Sequence, residues 1–496
     1  MASRFPCPRF YWYPRVDEMA IMDMLSADGH ALKIMRNDAS TADPDHEAPA
    51  NFNYENGILS WEKGEIKGED IVTVIPTLGR AAEYTIFSIE PSPPPSEALP
   101  ESAGEEKQYP FKLRTTNALI LPDAFLSAFL FSGWPAYMTD AQNVYVLIST
   151  LSGTGLAVPF WEEILHPLLL SLGFEDGTYS VVKTRNAESV RELTKVNLMV
   201  AANEGRKQTV VMLSGDGGIV DTINALGESE RSSKYVKPTV VQLPLGTGNA
   251  LFHSLHASSP RPSIYTQALQ TLLRGTPRPL PIFRASFSPG ARLLTNEGQT
   301  TSPLPKNALL GAVVASHGLH STLVADSDTL EYRKYGDKRF GMAAQNLMFP
   351  PDGSAPHAYK ARITLIKKGE EEVMERKEHG YVLAAMVSHL ERTFTVSPKS
   401  RPFERVLRVV HFGALDGETV GAIMGAAYQG GEHVKRADVG YEAVAGMRVT
   451  FEEEGEDSTW RRCCVDGSIV AVEEGGWMDV RLLEEGGEVI DIVANA

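Results

Sequence analysis

Val210-Val211-Met212-Leu213-Ser214-Gly215-Asp216-Gly217-Gly218 is the stretch on which the reading of this chain turns. An apolar run ends in a glycine cluster that holds one carboxylate, and a helical pattern follows at once. Such a run reads as a buried strand. The plan recurs downstream, where Thr239-Val240-Val241-Gln242-Leu243 leads into Pro244-Leu245-Gly246-Thr247-Gly248-Asn249-Ala250. It also occurs upstream. Val144-Tyr145-Val146-Leu147-Ile148-Ser149 ends in Thr150-Leu151-Ser152-Gly153-Thr154-Gly155, ahead of a helical stripe over residues 160–172. Strand, glycine loop and helix in tandem suit phosphate binding. Glycine lets the backbone approach the anion, and a helix N-terminus supplies N–H donors and partial positive charge.

Outward from these units, strands alternate with helices between residues 141 and 280. The alternation predicts an α/β domain with a parallel sheet covered on both faces, and its glycine loops suit it to phosphate. From 281 to 496 short β runs dominate, with one helical stretch near 338–347, and an antiparallel β-sandwich domain is expected. Residues 1–140 read as an N-terminal extension. It has short strands at 57–61, 70–75 and 84–89, loose linkers at 26–50 and 91–108, and a strand and apolar helix within 111–131.

Composition narrows the function. The 496 residues are 43% hydrophobic and 22% charged, which is ordinary for a soluble protein of two or three domains. No apolar window is long enough for a transmembrane span, and residues 1–15 lack the apolar core of a secretory signal. Cytoplasmic placement is expected. The three cysteines are Cys7 and the adjacent Cys463 and Cys464, which is neither a disulfide framework nor a spaced metal site. A net charge of −16 disfavours nucleic acid and an anionic membrane surface alike.

Each motif has two readings. Asp216 either faces a reacting centre or caps the helix that follows it. Gly246-Thr247-Gly248-Asn249 either cradles phosphate or is a glycine turn with an Asn cap. Two such units at strand ends of one sheet favour the ligand reading, because open α/β sheets bind ligands there.

Taken together, these residues resemble the catalytic domain of the diacylglycerol kinase and sphingosine (long-chain base) kinase superfamily. The likeness runs on through Ala325-Asp326-Ser327-Asp328 and Glu331-Tyr332-Arg333-Lys334-Tyr335-Gly336-Asp337-Lys338-Arg339-Phe340. Val465-Asp466-Gly467 is similar to the family's Asp-Gly-Glu motif. The resemblance implies an ATP- and magnesium-dependent lipid kinase, acting on a hydroxyl of a sphingoid base or of diacylglycerol. Peripheral contact with intracellular membranes would follow from such a substrate. Nucleotide would be held by Ser152, Gly153, Gly155, Ser214, Gly215, Gly217, Gly246, Thr247, Gly248, Asn249, Arg333, Arg339 and Gly467. Asp216 is the first choice for the base or magnesium-linked carboxylate, with Asp466 its competitor. Asp326 or Asp328 would hold the lipid headgroup.

Three positions depart from the family. Ser149 opens the first loop where the family has Asn-Pro, Ser189 replaces a His, and Ser468 stands where the family has Glu. They motivate an alternative: a lipid- or nucleotide-binding scaffold with weakened catalysis. A kinase of a soluble nucleotide, as in the related NAD kinases, shares the Gly-Asp-Gly loop.

Overall fold

The computed structural model describes residues 51–77, 84–90, 109–257, 263–296, 298–333, 335, 338–367 and 369–495. The linkers expected at 26–50 and 91–108 lie outside these residues, as does the side chain of Arg333.

A six-stranded sheet carries the three glycine units. Its order is Thr276–Pro279, Asp491–Ala494, Thr239–Pro244, Thr209–Ser214, Val144–Ile148, Ser180–Lys183. All neighbours pair in parallel except Thr276–Pro279, which is antiparallel to Asp491–Ala494. The apolar run of the central strand is explained by its two faces. Val210 and Met212 enter one core, while Val211 and Leu213 enter another. Both faces are dry, so no polar alternation survives, and each such side chain contributes about 1.5–3 kcal/mol by burial. One strand comes from the far end of the sequence: Asp491–Ala494, read as part of the β domain, completes the α/β sheet.

The second half is one continuous fourteen-stranded antiparallel sheet. Tyr359–Lys367 pairs with Glu378–Ala385 at its start and with Gly446–Phe451 along its length, so it links two halves of the sheet. Those halves enclose a shared core that includes Phe283, Ile363, Val382, Val449 and Val470. The expected sandwich is therefore a single curled sheet folded over its own core. Two of the longer helices in this half carry no clear sequence signal. Leu319–Ser327 buries Ser321, Thr322 and Ser327 rather than an apolar stripe, and Gly417–Ala427 is rich in Gly and Ala.

The expected strand over 309–316 is broken into Ala308–Gly311 and Val314–Gly318. The gap, Ala312 and Val313, recurs below. The two halves of the molecule share a core as well: Ile223 and Leu226 cluster with Leu310, Val313, Leu383 and Val410. Across this seam the Asn224 side chain donates to Leu310 O at 2.9 Å and accepts from Leu310 N at 2.9 Å.

The N-terminal strands at Ile58–Trp61, Ile71–Pro76 and Tyr84–Glu90 form where the sequence placed them, and Lys112–Ala118 and Asp123–Phe129 are the expected strand and helix. The sheet of Ile71–Pro76, Tyr84–Glu90 and Lys112–Ala118 lies on the α/β domain. Val72, Phe87, Ile89 and Phe111 join Phe160, Leu269 and Leu272 in one core, and Gln270 Nε2 donates to Ile71 O at 2.7 Å.

Candidate active site

Three adjacent parallel strands end in the three glycine loops, so the loops meet at one edge of the sheet. Their contacts are close. Ser152 Oγ and Thr154 Oγ1 both donate to Leu245 O, and Asp216 N donates to Gly248 O at 3.2 Å. A Cβ on Gly246 would lie 2.3 Å from Gly215 Cα, so these two glycines are fixed by loop-on-loop packing. Gly217 and Gly248 differ: a Cβ on either meets nothing within 4 Å, and both are exposed. They border open space where a phosphate chain can approach the backbone. Gly217 also lies in the first turn of the thirteen-residue helix Asp216–Glu228, whose early N–H groups lack intrahelical partners.

The Asp216 carboxylate does not cap its own helix. It turns across to the helix Ala250–Leu255, where Oδ2 accepts from Ala250 N at 2.6 Å and Oδ1 from Leu251 N at 3.2 Å. Gln242 Nε2 donates to Oδ1 at 3.1 Å. Burial pushes its pKa up to about 6, against the pull of these three donors.

Asp466 comes from the curled sheet. With Gly467 it forms the two-residue turn between Arg462–Val465 and Ser468–Ala471, with φ of 47° and 88°. Two positive φ values are the geometry of a tight hairpin turn, for which Asp-Gly is well suited. Its side chain, however, leaves the turn and enters the break at Ala312 and Val313. Oδ2 accepts from Ala312 N at 2.6 Å, and Oδ1 from Val313 N at 3.1 Å and Val314 N at 2.7 Å. The broken strand thus supplies amides that would otherwise be spent in a ladder. Burial pushes the Asp466 pKa up to about 7; the amides of Ala312, Val314 and Val313 oppose the rise and repulsion from Asp216 adds to it. The two carboxylates come from different halves of the molecule, and the charge of Asp216 reaches Asp466 across the seam.

The other expected residues are placed differently. Asp326 is ion-paired with Arg462 at 2.9 Å, and Arg339 Nη1 lies 3.3 Å from Asp328 Oδ1 and stacks over Phe340. Arg333 ends the short helix Leu330–Arg333. No described contact ties Asp326, Asp328 or Arg339 to the Asp216–Asp466 pair. Asn249 closes its own loop, accepting from Gly246 N at 3.3 Å and donating to Gly246 O at 2.8 Å. Ser214 is buried beneath the loops, Thr247 is half-buried at their rim, and Gly155 turns at φ 66°.

Sequence reasoning missed Gln242 and the Ala312–Val314 amides. Gln242 is a polar residue inside an otherwise apolar strand run, and that signal was legible. The amide cradle had none, since any residue but proline offers an N–H.

Residues 143–285 match the family model for the diacylglycerol kinase catalytic domain. The resemblance read from the glycine loops is borne out over that segment. The chain is 26% identical over 149 residues to sphingosine kinase 1 of Arabidopsis thaliana, covering 30% of this chain and 29% of the relative. It is 28% identical over 114 residues to human sphingosine kinase 1, covering 23% and 28%. It is 29% identical over 114 residues to sphingoid long chain base kinase 4 of Schizosaccharomyces pombe, covering 23% of each. The matched segments thus span less than a third of these relatives. Among solved structures, a putative diacylglycerol kinase from Bacillus anthracis str. Sterne aligns over 72% of this chain and 96% of its own, at 14% identity and a TM-score of 0.47.

Proposed function

We propose that the protein is an ATP-dependent lipid kinase whose reaction centre is the Asp216–Asp466 pair. The observation that carries this reading is the buried Asp216 carboxylate of raised pKa where the glycine loops come together, with Asp466 of the other half near enough to feel its charge. The family match over residues 143–285 supports it. A lipid hydroxyl attacks the γ-phosphorus of ATP; the new O–P bond forms as the bond to the β-phosphate oxygen breaks, and ADP leaves. Asp216 takes the hydroxyl proton, for which a pKa of about 6 suits work near neutrality. Backbone N–H groups at Gly217 and Gly248 hold the phosphates.

Among the described residues no group of three or more His, Cys, Asp or Glu side chains is placed to hold a metal ion. Asp216 and Asp466 would therefore hold magnesium only together with the nucleotide's phosphates, the usual manner for this ion. When bound, such a cation would supply positive charge that offsets the repulsion between Asp216 and Asp466 and the charge of the phosphates.

The proposed acceptor is a sphingoid base or diacylglycerol, reached at a membrane surface by a cytoplasmic protein. Among the described residues no helix is long and apolar enough to cross a membrane. The headgroup role proposed for Asp326 and Asp328 meets a competing fact, since each already faces a guanidinium. A free carboxylate pairs readily with an amine; one beside arginine gains less.

The scaffold reading draws on a specific observation too: the oxygens of Asp216 and Asp466 are all engaged by donors within the protein. Purified protein with labelled ATP, magnesium and a panel of lipids separates the two. Transfer to a lipid supports the kinase; tight calorimetric ATP binding with no transfer to any lipid supports the scaffold.

A further inference from the structure

Gln242 interrupts the apolar strand Thr239–Pro244, where it pairs in register with Met212 and is 2% exposed. Only one end of its side-chain amide is satisfied. Nε2 donates to Asp216 Oδ1 at 3.1 Å, while Oε1 is buried with no partner among the described residues. A carboxylate accepts and cannot donate, so the nitrogen is the atom that faces Asp216. An unpaired buried carbonyl oxygen costs stability, and an apolar side chain of the same length would avoid that cost. Packing therefore does not account for this residue, and its bond to Asp216 does.

That bond makes the carboxylate asymmetric. An ionised carboxylate has about four lone-pair positions, two on each oxygen. Oδ1 of Asp216 accepts from both Gln242 Nε2 and Leu251 N, at 3.1 and 3.2 Å. Oδ2 accepts from Ala250 N at 2.6 Å and from no other described residue. Asp466 has no such opening. Its Oδ1 accepts from Val313 N and Val314 N, and its Oδ2 from Ala312 N and, at 3.3 Å, from Val313 N. The pair thus keeps one open lone-pair position among the described contacts, on Oδ2 of Asp216, a residue that retains part of its surface in solvent. Without Gln242 each oxygen of Asp216 would hold one amide, and either could turn outward.

We propose that Gln242 is a positioning residue for phosphoryl transfer: it ties Oδ1 of Asp216 inward and so reserves Oδ2 for the proton of the lipid hydroxyl. The O–H proton passes to Oδ2 as the hydroxyl oxygen bonds to the γ-phosphorus and the bond to the β-phosphate oxygen breaks. Asp466, with its oxygens filled, takes no proton in this step. The assignment rests on the kinase reading and adds to it the atom that acts and the side chain that aims it.

Full-length wild type and Gln242→Met, assayed with labelled ATP, magnesium and lipid, test the assignment. Methionine keeps the length and volume of glutamine and lacks the donor. Turnover should fall about 10- to 100-fold, the scale of a misplaced reacting group, while KM for ATP and for lipid stays within about twofold. The urea midpoint should hold, because the lost bond and the removed unpaired oxygen offset each other. A packing role gives the opposite pattern, a lower midpoint with kcat retained. Should Gln242→Met fold poorly, Gln242→Leu carries the same expectation. Adding Gln242→Met to Asp216→Asn should lower the residual kcat no further, since the group it positions is already gone. Unchanged kcat in Gln242→Met, or a full further loss in the double variant, overturns the assignment. A wild type that transfers phosphate to no lipid removes the kinase reading and this assignment with it, whereas an active wild type matched by Gln242→Met removes this assignment alone.

Discussion

Asp216 and Asp466 are alike in charge, burial and neighbourhood, yet they are held in opposite ways. Asp216 stands at the start of a helix and reaches across to the first amides of another. Asp466 stands on a hairpin turn and fills a gap in a strand with three amide contacts. The first position joins two glycine loops of one domain; the second stitches the curled sheet to itself at the seam. The difference teaches that a carboxylate's chemistry and its structural duty can be separated by substitution.

The largest expected effect is on turnover. Asp216→Asn should lower phosphoryl transfer by about 10²–10⁴-fold, the range for a lost general base, with far-UV circular dichroism unchanged. The amide cannot accept at both oxygens, so the urea midpoint should fall by the equivalent of roughly 1–2 kcal/mol. Asp466→Ala reverses the emphasis. It strands the amides of Ala312, Val313 and Val314, and urea denaturation should show a loss of roughly 3 kcal/mol. A smaller stability loss there than at Asp216→Ala would break the contrast.

Titration sharpens it. Both folded-state pKa values, about 6 and about 7, lie above the ordinary aspartate value of 3.8. The folded protein therefore holds protons that the unfolded chain releases. The contribution is full below pH 4 and is lost as pH rises through 6 and then 7. Urea midpoints between pH 4 and 8 should fall along this limb, and Asp466→Asn should flatten its upper part. An unchanged slope would contradict the buried, mutually repelling pair.

Smaller effects separate glycines fixed by packing from those that border open space. Gly246→Ala drives a Cβ into the Gly215 backbone and should cost about 1–3 kcal/mol in thermal or urea unfolding. Gly248→Ala opens onto empty space and should change stability by less than about 0.5 kcal/mol, while weakening ATP binding by calorimetry. Equal stability losses for the two would dissolve the distinction.

The α/β half was legible because its strands are dry on both faces. Val210 to Leu213 had to be uniformly apolar, and the glycines had to sit where loops touch. The curled sheet was legible as β but not as curled, since pairing across Tyr359–Lys367 leaves no local mark. The helix Leu319–Ser327 was hidden by its buried serines and threonine. Of the site, Asp216 and Asp466 could be named from their motifs. How Asp466 is held depends on a strand break at Ala312 that no residue type announces. Asp326 and Asp328 could be named too, but their pairing with Arg462 and Arg339 is a property of the tertiary structure alone.

The most direct test of the central claim is the pH dependence of labelled-phosphate transfer from ATP to lipid, measured for the wild type and Asp216→Asn at fixed magnesium. Transfer in the wild type should rise as pH passes through about 6 to 7, where the pair ionises, and in the variant it should stay about 10²–10⁴-fold lower without that rise. Full activity in Asp216→Asn, or a wild-type rate that does not change across this range, would contradict the assignment of the Asp216–Asp466 pair as the reaction centre.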